Sequence, residues 1–304
     1  MTNLPSRALA ELTLPAGFVV RPEAVDFAVW MVLDTISVAL AGSRLESDVV
    51  RSVGATMSRL SGDGKCTAFT TGRRLSAPAA AAINACAVHS IDFDDSYMAG
   101  GVKAHFSSSI IPTALAVGED IDATGRQFLD AIVRGFEVAA RLGHALTPSV
   151  VERWHPTGVV GVVGCAAAGL SLPYSIAATL LDGVCTIDQF TDERLRNNSF
   201  RSLMQRVRIV GSQQIEQDFG SRVASEVMVT YADGTIESGF AADPLGFPER
   251  PATAEQRLSK ARGLLLRVLD PEKTNSLIEL ILTLPTSTSL RPLTNFLLRE
   301  GKLP

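Results

Sequence analysis

Two stretches hold most of the side chains that could move protons in this 304-residue chain. The first is HSIDFDDSYMAGGVKAHFSSS, from His89 to Ser109, where Asp92, Asp94 and Asp95 stand between His89 and His105. Carboxylates this close repel one another. Some must cap backbone N–H groups, pair with cations or take up a proton at higher pH than usual. Helix-end capping with a solvated acidic turn explains one or two of them without chemistry. Oxygen ligands would also suit Mg²⁺ or Ca²⁺, but the spacing does not match a calcium-binding loop, so no metal site is expected. The second stretch is RWHPTGVVGVVGCAAAG, from Arg153 to Gly169. His155 precedes Pro156, and Thr157 is placed to cap the helix that follows. A histidine there tends to stay neutral and to face a pocket for an anion. The alternative is a satisfied buried histidine covering a helix end. The glycines do not form a phosphate cradle, because no strand precedes them and GK[ST] is absent. A serine-hydrolase reading fails for want of GxSxG. His144 is explained by a helix-end charge role, and Glu137 by pairing with Arg134 or Arg141 at helical spacing.

The elements that must position these groups read as mostly helical. Apolar residues are abundant and aromatics are only 6% of the chain, which suits close-packed helices. Pro22 opens a helix whose apolar face includes Val25, Val29, Val32, Ile36 and Leu40, with Gly42 closing it. Further helices are predicted over Ser47–Leu60, from Ser76 to about Ser90, over Ser107–Val117 and from Thr124 through Leu142. Others follow from Thr157 to Leu170 and from Tyr174 to Leu181. Cys66–Thr71 reads as extended. Arg206–Val210, Ala224–Tyr231 and Thr235–Phe240 read as strands, with Asp233-Gly234 as a turn. From Ala254 the pattern is helical again, broken at Pro271, Pro285 and Pro292.

A net charge of −4 excludes a general basic field for nucleic acid or an anionic membrane. The longest weakly polar run, Gly158 to Leu172, is shorter than the roughly 20 residues a membrane helix needs. Cys66, Cys86, Cys165 and Cys185 form no CxxC pair and read as reduced, buried thiols. The N-terminus carries no charged-then-apolar signal pattern. A cytoplasmic or mitochondrial-matrix protein is expected.

HSIDFDD, His105 with FSSSIIPTALAVGE, GRQFLDAIVRGFEVAARLG, HPTGVVGVVGCAAA and SLPYSIAATLLDG occur in this order. Together they resemble the MmgE/PrpD family, which includes 2-methylcitrate dehydratases, cis-aconitate decarboxylases and an iminodisuccinate epimerase. The resemblance implies a mainly α fold, a large all-helical domain with a smaller, incomplete α+β lid. Residues 1–169 would form the helical domain, 170–245 a lid remnant and 246–304 helices returning to the helical domain. By motif, Asp92, His105 and His155 resemble the family's catalytic residues. Ser96 stands where members often have threonine, and Tyr174 resembles a lid tyrosine; both would bind substrate. Phe106 stands where members usually have proline. Relatives also carry a long central segment, with a pocket lysine and a further histidine, where this chain runs from Ala168-Gly169 straight into Leu170. The expectation is a cofactor-free lyase that dehydrates a small polycarboxylate such as 2-methylcitrate, with decarboxylation or epimerisation as variants. A shortened, non-catalytic paralogue or partner subunit is the alternative. A homodimer is expected from the family habit and from the apolar faces that missing helices would uncover.

Overall fold

The computed structural model describes residues 20–45, 47–99, 102–144 and 224–301, with short pieces at 180–182, 199, 202–203, 205–208, 210 and 212–219. The chain divides into two compact units. One comprises Met1–Gly169 with Ser259–Pro304, the other Leu170–Leu258.

The first unit is built on helices. Helix α1, Pro22–Leu45, buries Val25, Ala28, Val29, Val32, Leu33, Ile36 and Leu40, the face its apolar spacing predicts. Each such Val, Leu or Ile contributes about 1.5–3 kcal/mol when fully buried. This helix is long and apolar enough to cross a bilayer by length and composition, but most of its apolar stretch is buried within the protein, as in a core helix. A glycine at position 42 predicts a helix end there. Instead, the helix continues to Leu45 and Gly42 is a contact point. A Cβ there would lie 2.7 Å from the Ala87 carbonyl oxygen and 2.5 Å from Ser90 Oγ. Only glycine lets α1 approach the end of the helix that carries His89.

Helix α2, Ser47–Ser61, leads to β1, Asp63–Ala68, which pairs antiparallel with the short β2, Arg73–Leu75. Helix α3, Ala77–His89, is Ala-rich, starts with Pro78 in its first turn and packs against α1 and α2. A tight turn follows, and then a small hairpin of β3, Tyr97–Ala99, and β4, Val102–Ala104. Helix α4, Ser107–Asp120, packs on α3 and against α5, Gly125–His144. Phe128, Leu129, Ile132 and Ala139 form the buried stripe of α5.

The second unit contains α6, Gln213–Phe219, and the hairpin of β5, Ser225–Thr230, with β6, Ile236–Ala241. The Asp233-Gly234 turn behaves as expected: Gly234 has a φ of 86° and Asp233 accepts from the Thr235 N–H. The strand expected at Arg206–Val210 does not form; Arg206 lies in a turn, with Val207 and Arg208 irregular. Helix α7, Ala254–Leu265, runs into the first unit from its neighbour. Helices α8, Pro271–Leu282, and α9, Arg291–Glu300, complete that unit. Pro271 begins α8 with Asp270 as its cap, accepting from the Lys273 N–H. The architecture is mainly α with small two-stranded sheets.

Candidate active site

The turn after α3 places its three carboxylates in three different environments. Asp92 takes a left-handed backbone with a φ of 47°, unusual for a residue with a Cβ. Its neighbours therefore project differently from residues on a regular helix or strand. The β3–β4 hairpin then folds the chain back, with Tyr97 opposite Ala104. That return brings His105 over the turn. Phe106, where a proline was expected, is buried against Tyr97 at 5.0 Å and Phe136 at 6.4 Å between ring centroids. It anchors the backbone immediately after His105.

Four side chains converge. His89 Nδ1 lies 2.9 Å from Asp94 Oδ1, a hydrogen bond. His105 Nδ1 lies 3.5 Å from the same oxygen, and His105 Nε2 lies 3.7 Å from Asp92 Oδ1. These last two are ion-pair contacts, too long for strong hydrogen bonds. The two imidazole rings sit 4.7 Å apart at 58°. Asp94 is therefore shared by both rings, while Asp92 reaches only His105.

Protonation follows from this arrangement. Burial alone would raise the Asp94 pKa, but the close contact with His105, the hydrogen bond with His89 and the charges of both rings outweigh it and hold the carboxyl below its ordinary range. Burial likewise would depress His105; its contact with Asp94 and the charges of Asp94, Asp92 and Asp95 win and raise it. For Asp95 the charge of His105 falls short of compensating its desolvation. Desolvation pushes it up to about 7, the Ser107 hydroxyl offsets only part of this, and the charges of Asp94 and Asp34 add to the rise. The repulsion foreseen from the sequence is thus resolved by pairing for Asp94 and by proton uptake for Asp95.

Of the residues singled out in the sequence, the structure brings Asp92 and His105 together. Ser96 follows on the same turn and is exposed. His155 and Tyr174 lie outside the described residues. His89 and Asp94 complete the cluster, although neither residue type nor spacing singles them out from their neighbours. The ligand atoms of His89, Asp92, Asp94 and His105 lie within 4.8 Å of one another, a donor set that would suit a transition metal. Hydrogen bonding already accounts for the shortest of these contacts.

The N-terminal domain model of the MmgE/PrpD family matches residues 19–173, and the C-terminal domain model matches residues 165–285. The chain belongs to the MmgE/PrpD family. Similar curated proteins include the cis-aconitate decarboxylase of Mus musculus, 34% identical over 156 residues, covering 47% of this chain and 30% of the relative. The cis-aconitate decarboxylase of Aspergillus terreus is 28% identical over 144 residues, 47% of this chain and 29% of the relative. That of Homo sapiens is 36% identical over 101 residues, 31% of this chain and 20% of the relative. The matches thus span at most about three tenths of those curated relatives.

Proposed function

We propose that this MmgE/PrpD chain is a lyase that transfers a proton at a carbon adjoining a carboxylate of a small polycarboxylate. His105 carries the proton, and Asp92 and Asp94 set its charge. The observation that carries the reading is the imidazole of His105 held between two carboxylates, 3.7 Å from Asp92 and 3.5 Å from Asp94. Those charges favour the imidazolium near neutral pH, so His105 is poised as the acid. In a decarboxylation the C–C bond to one carboxylate breaks and CO₂ leaves. The electron pair is delocalised towards a neighbouring carboxylate, and the acid delivers a proton to carbon. In a dehydration a base takes the proton beside the carboxylate and the acid protonates the departing hydroxyl. Both routes need the developing enolate charge to be stabilised. His155 and Tyr174 are the further groups we assign to that task, on the family motif.

The names of the similar proteins make cis-aconitate the first substrate to test, with 2-methylcitrate as the dehydration arm. The purified chain is incubated with each in D₂O and followed by proton NMR. Decarboxylation is expected to install one deuteron per CO₂ released. His105→Gln should lower the rate by about 10²–10⁴-fold, the usual contribution of a general acid or base. A folded parent chain that turns over neither substrate would overturn the lyase reading. It would favour the second one, a non-catalytic chain, which draws support from the matches spanning about three tenths of the curated relatives.

A further inference from the structure

The acidic turn is held from two distant parts of the chain. Lys260 on α7 places its Nζ 2.8 Å from Asp34 Oδ1 on α1. The same ammonium donates to the Phe93 carbonyl oxygen at 2.9 Å and lies 4.7 Å from the centroid of the Phe93 ring. Phe93 is the residue between Asp92 and Asp94. Its carbonyl belongs to the peptide plane that leads directly into Asp94, and the residue before it is the one with left-handed backbone. A conformation of that kind persists when its surroundings hold it. One hydrogen bond and a cation–π contact to Phe93, from an ammonium anchored by its ion pair with Asp34, supply such a hold.

The partners of Lys260 suit a structural tie better than a substrate contact. Asp34 is the lone acid in the apolar run from Val32 to Leu40. Crowding by protein pushes it above its ordinary range, and Lys260 opposes this. About 23% of the Asp34 side chain and 35% of Lys260 stay accessible, so the pair is partly screened by solvent.

We propose that Lys260 is a positioning residue: by tying the Phe93 carbonyl to Asp34 it sets the reach of Asp92 and Asp94 to the His105 ring. The role in turnover rests on the lyase reading; the geometric role does not. Among the described residues, the titratable groups at His105 include Asp92, Asp94 and Asp95 of the turn and His89 at the end of α3. Lys260 acts on them from α7 and Asp34 from α1.

The test reads His105 itself. Imidazole ¹⁵N–¹H spectra of the full chain give its titration midpoint in the parent, Lys260→Met, Lys260→Arg and Asp34→Asn. The sign separates two causes. Removing a positive charge by its field alone would raise the midpoint. Releasing the turn lets the carboxylates retreat, and the midpoint falls toward the ordinary value of about 6.5. A fall in Lys260→Met, with recovery in Lys260→Arg, is expected. A fall is expected in Asp34→Asn as well, from loss of the anchor and of the Asp34 charge together, so the Lys260 variants carry the distinction. An unchanged or raised midpoint in Lys260→Met overturns the proposal. Should that variant not fold, Lys260→Gln, which removes the cation with a shorter side chain and is read by the same sign, decides: a lowered midpoint supports the tie and an unchanged or raised one overturns it. Where the parent is active, Lys260→Met should lower kcat while KM holds. A silent parent with a lowered variant midpoint would sink the lyase reading and leave the tie standing. An active parent whose His105 midpoint ignores Lys260 would do the reverse.

Discussion

Two buried acidic centres lie in the same helical unit and are built in opposite ways. Glu119, at the end of α4, accepts from the Thr67 N–H at 2.6 Å and the Thr67 hydroxyl at 2.8 Å, and Arg74 Nη1 lies 3.2 Å away. Each partner is a donor of fixed kind: a backbone N–H, a hydroxyl and a guanidinium. The turn after α3 instead surrounds Asp94 with the imidazoles of His89 and His105. Asp94 Oδ2 and Asp95 Oδ1 are shielded from solvent with no hydrogen-bond partner among the described residues. A carboxylate satisfied by permanent donors fastens β1 to α4. Carboxylates facing titratable partners, with lone pairs unspent, can exchange protons at the cost of stability.

The contrast predicts opposite responses to substitution. The largest effect belongs to His105→Gln, a loss of about 10²–10⁴-fold in turnover. A variant with full activity would remove the turn from the chemistry. Glu119→Ala should instead cost stability. It leaves the Thr67 N–H and hydroxyl without their acceptor, while Arg74 keeps the Lys65 carbonyl and Asn295 Oδ1, so the cost falls below the ~3–5 kcal/mol of breaking a fully buried pair. Urea unfolding measures the loss, and the His105 titration midpoint should stay where it is. A shifted midpoint would join the two centres into one network.

Much of this division was legible in the residues. The apolar spacing of α1, α3, α4 and α5 is a local signal, and burial follows it closely. The convergence of Asp92 with His105 was expected through the family motif, and three carboxylates in four residues announced that their charges must be resolved somehow. Which aspartate would pair and which would hold a proton was not readable. That depends on the left-handed backbone at Asp92 and on a hairpin of two three-residue strands, too short to leave a periodic pattern. Lys260 gave no signal either, since a lysine in SKARGLL looks like any solvated helical position. Asp34 did give one, as a lone acid in an apolar run, though nothing local named its partner. Gly42 misled in the other direction: glycine commonly follows a helix, but here close packing against α3 demands it inside one.

A third prediction sharpens the contrast through pH. Asp95 titrates at about 7 in the folded chain and near 3.9 when unfolded. Between those values the folded state holds a proton that the unfolded state has released, so this residue makes stability fall as pH rises. The raised His105 contributes with the same sign: its stabilisation is full below about 6.5 and is lost as pH climbs through its folded value. Asp94 contributes oppositely, its stabilisation being lost as pH drops through its depressed folded value. Asp95→Asn imitates the protonated acid at every pH. Thermal unfolding should show no difference from the parent near pH 4, and a stabilisation on the order of a few kcal/mol by pH 8, at about 1.36 kcal/mol per pKa unit. A variant destabilised at pH 8 would mean that the carboxylate form is the one the turn is built around.

The smallest expected effect tests whether the turn is a proton-exchange centre or a cation site. Its two imidazoles and two carboxylates are ligands that Zn²⁺ accepts, and they already lie within 4.8 Å of one another. A metal would have to replace the hydrogen bond from His89 to Asp94 and draw Asp92 inward from its left-handed backbone. If the proton is the native occupant, adding Zn²⁺ at several times the protein concentration should leave the melting temperature almost unchanged, and a chelator should do nothing to turnover. A ligand that binds the folded state at a hundred times its Kd would stabilise by about 2.7 kcal/mol, a shift that is easily seen. Such a shift in the parent, lost in His89→Gln and kept in Glu119→Gln, would make the unspent lone pair of Asp94 a metal ligand and give the contrast between the two acidic centres a different meaning.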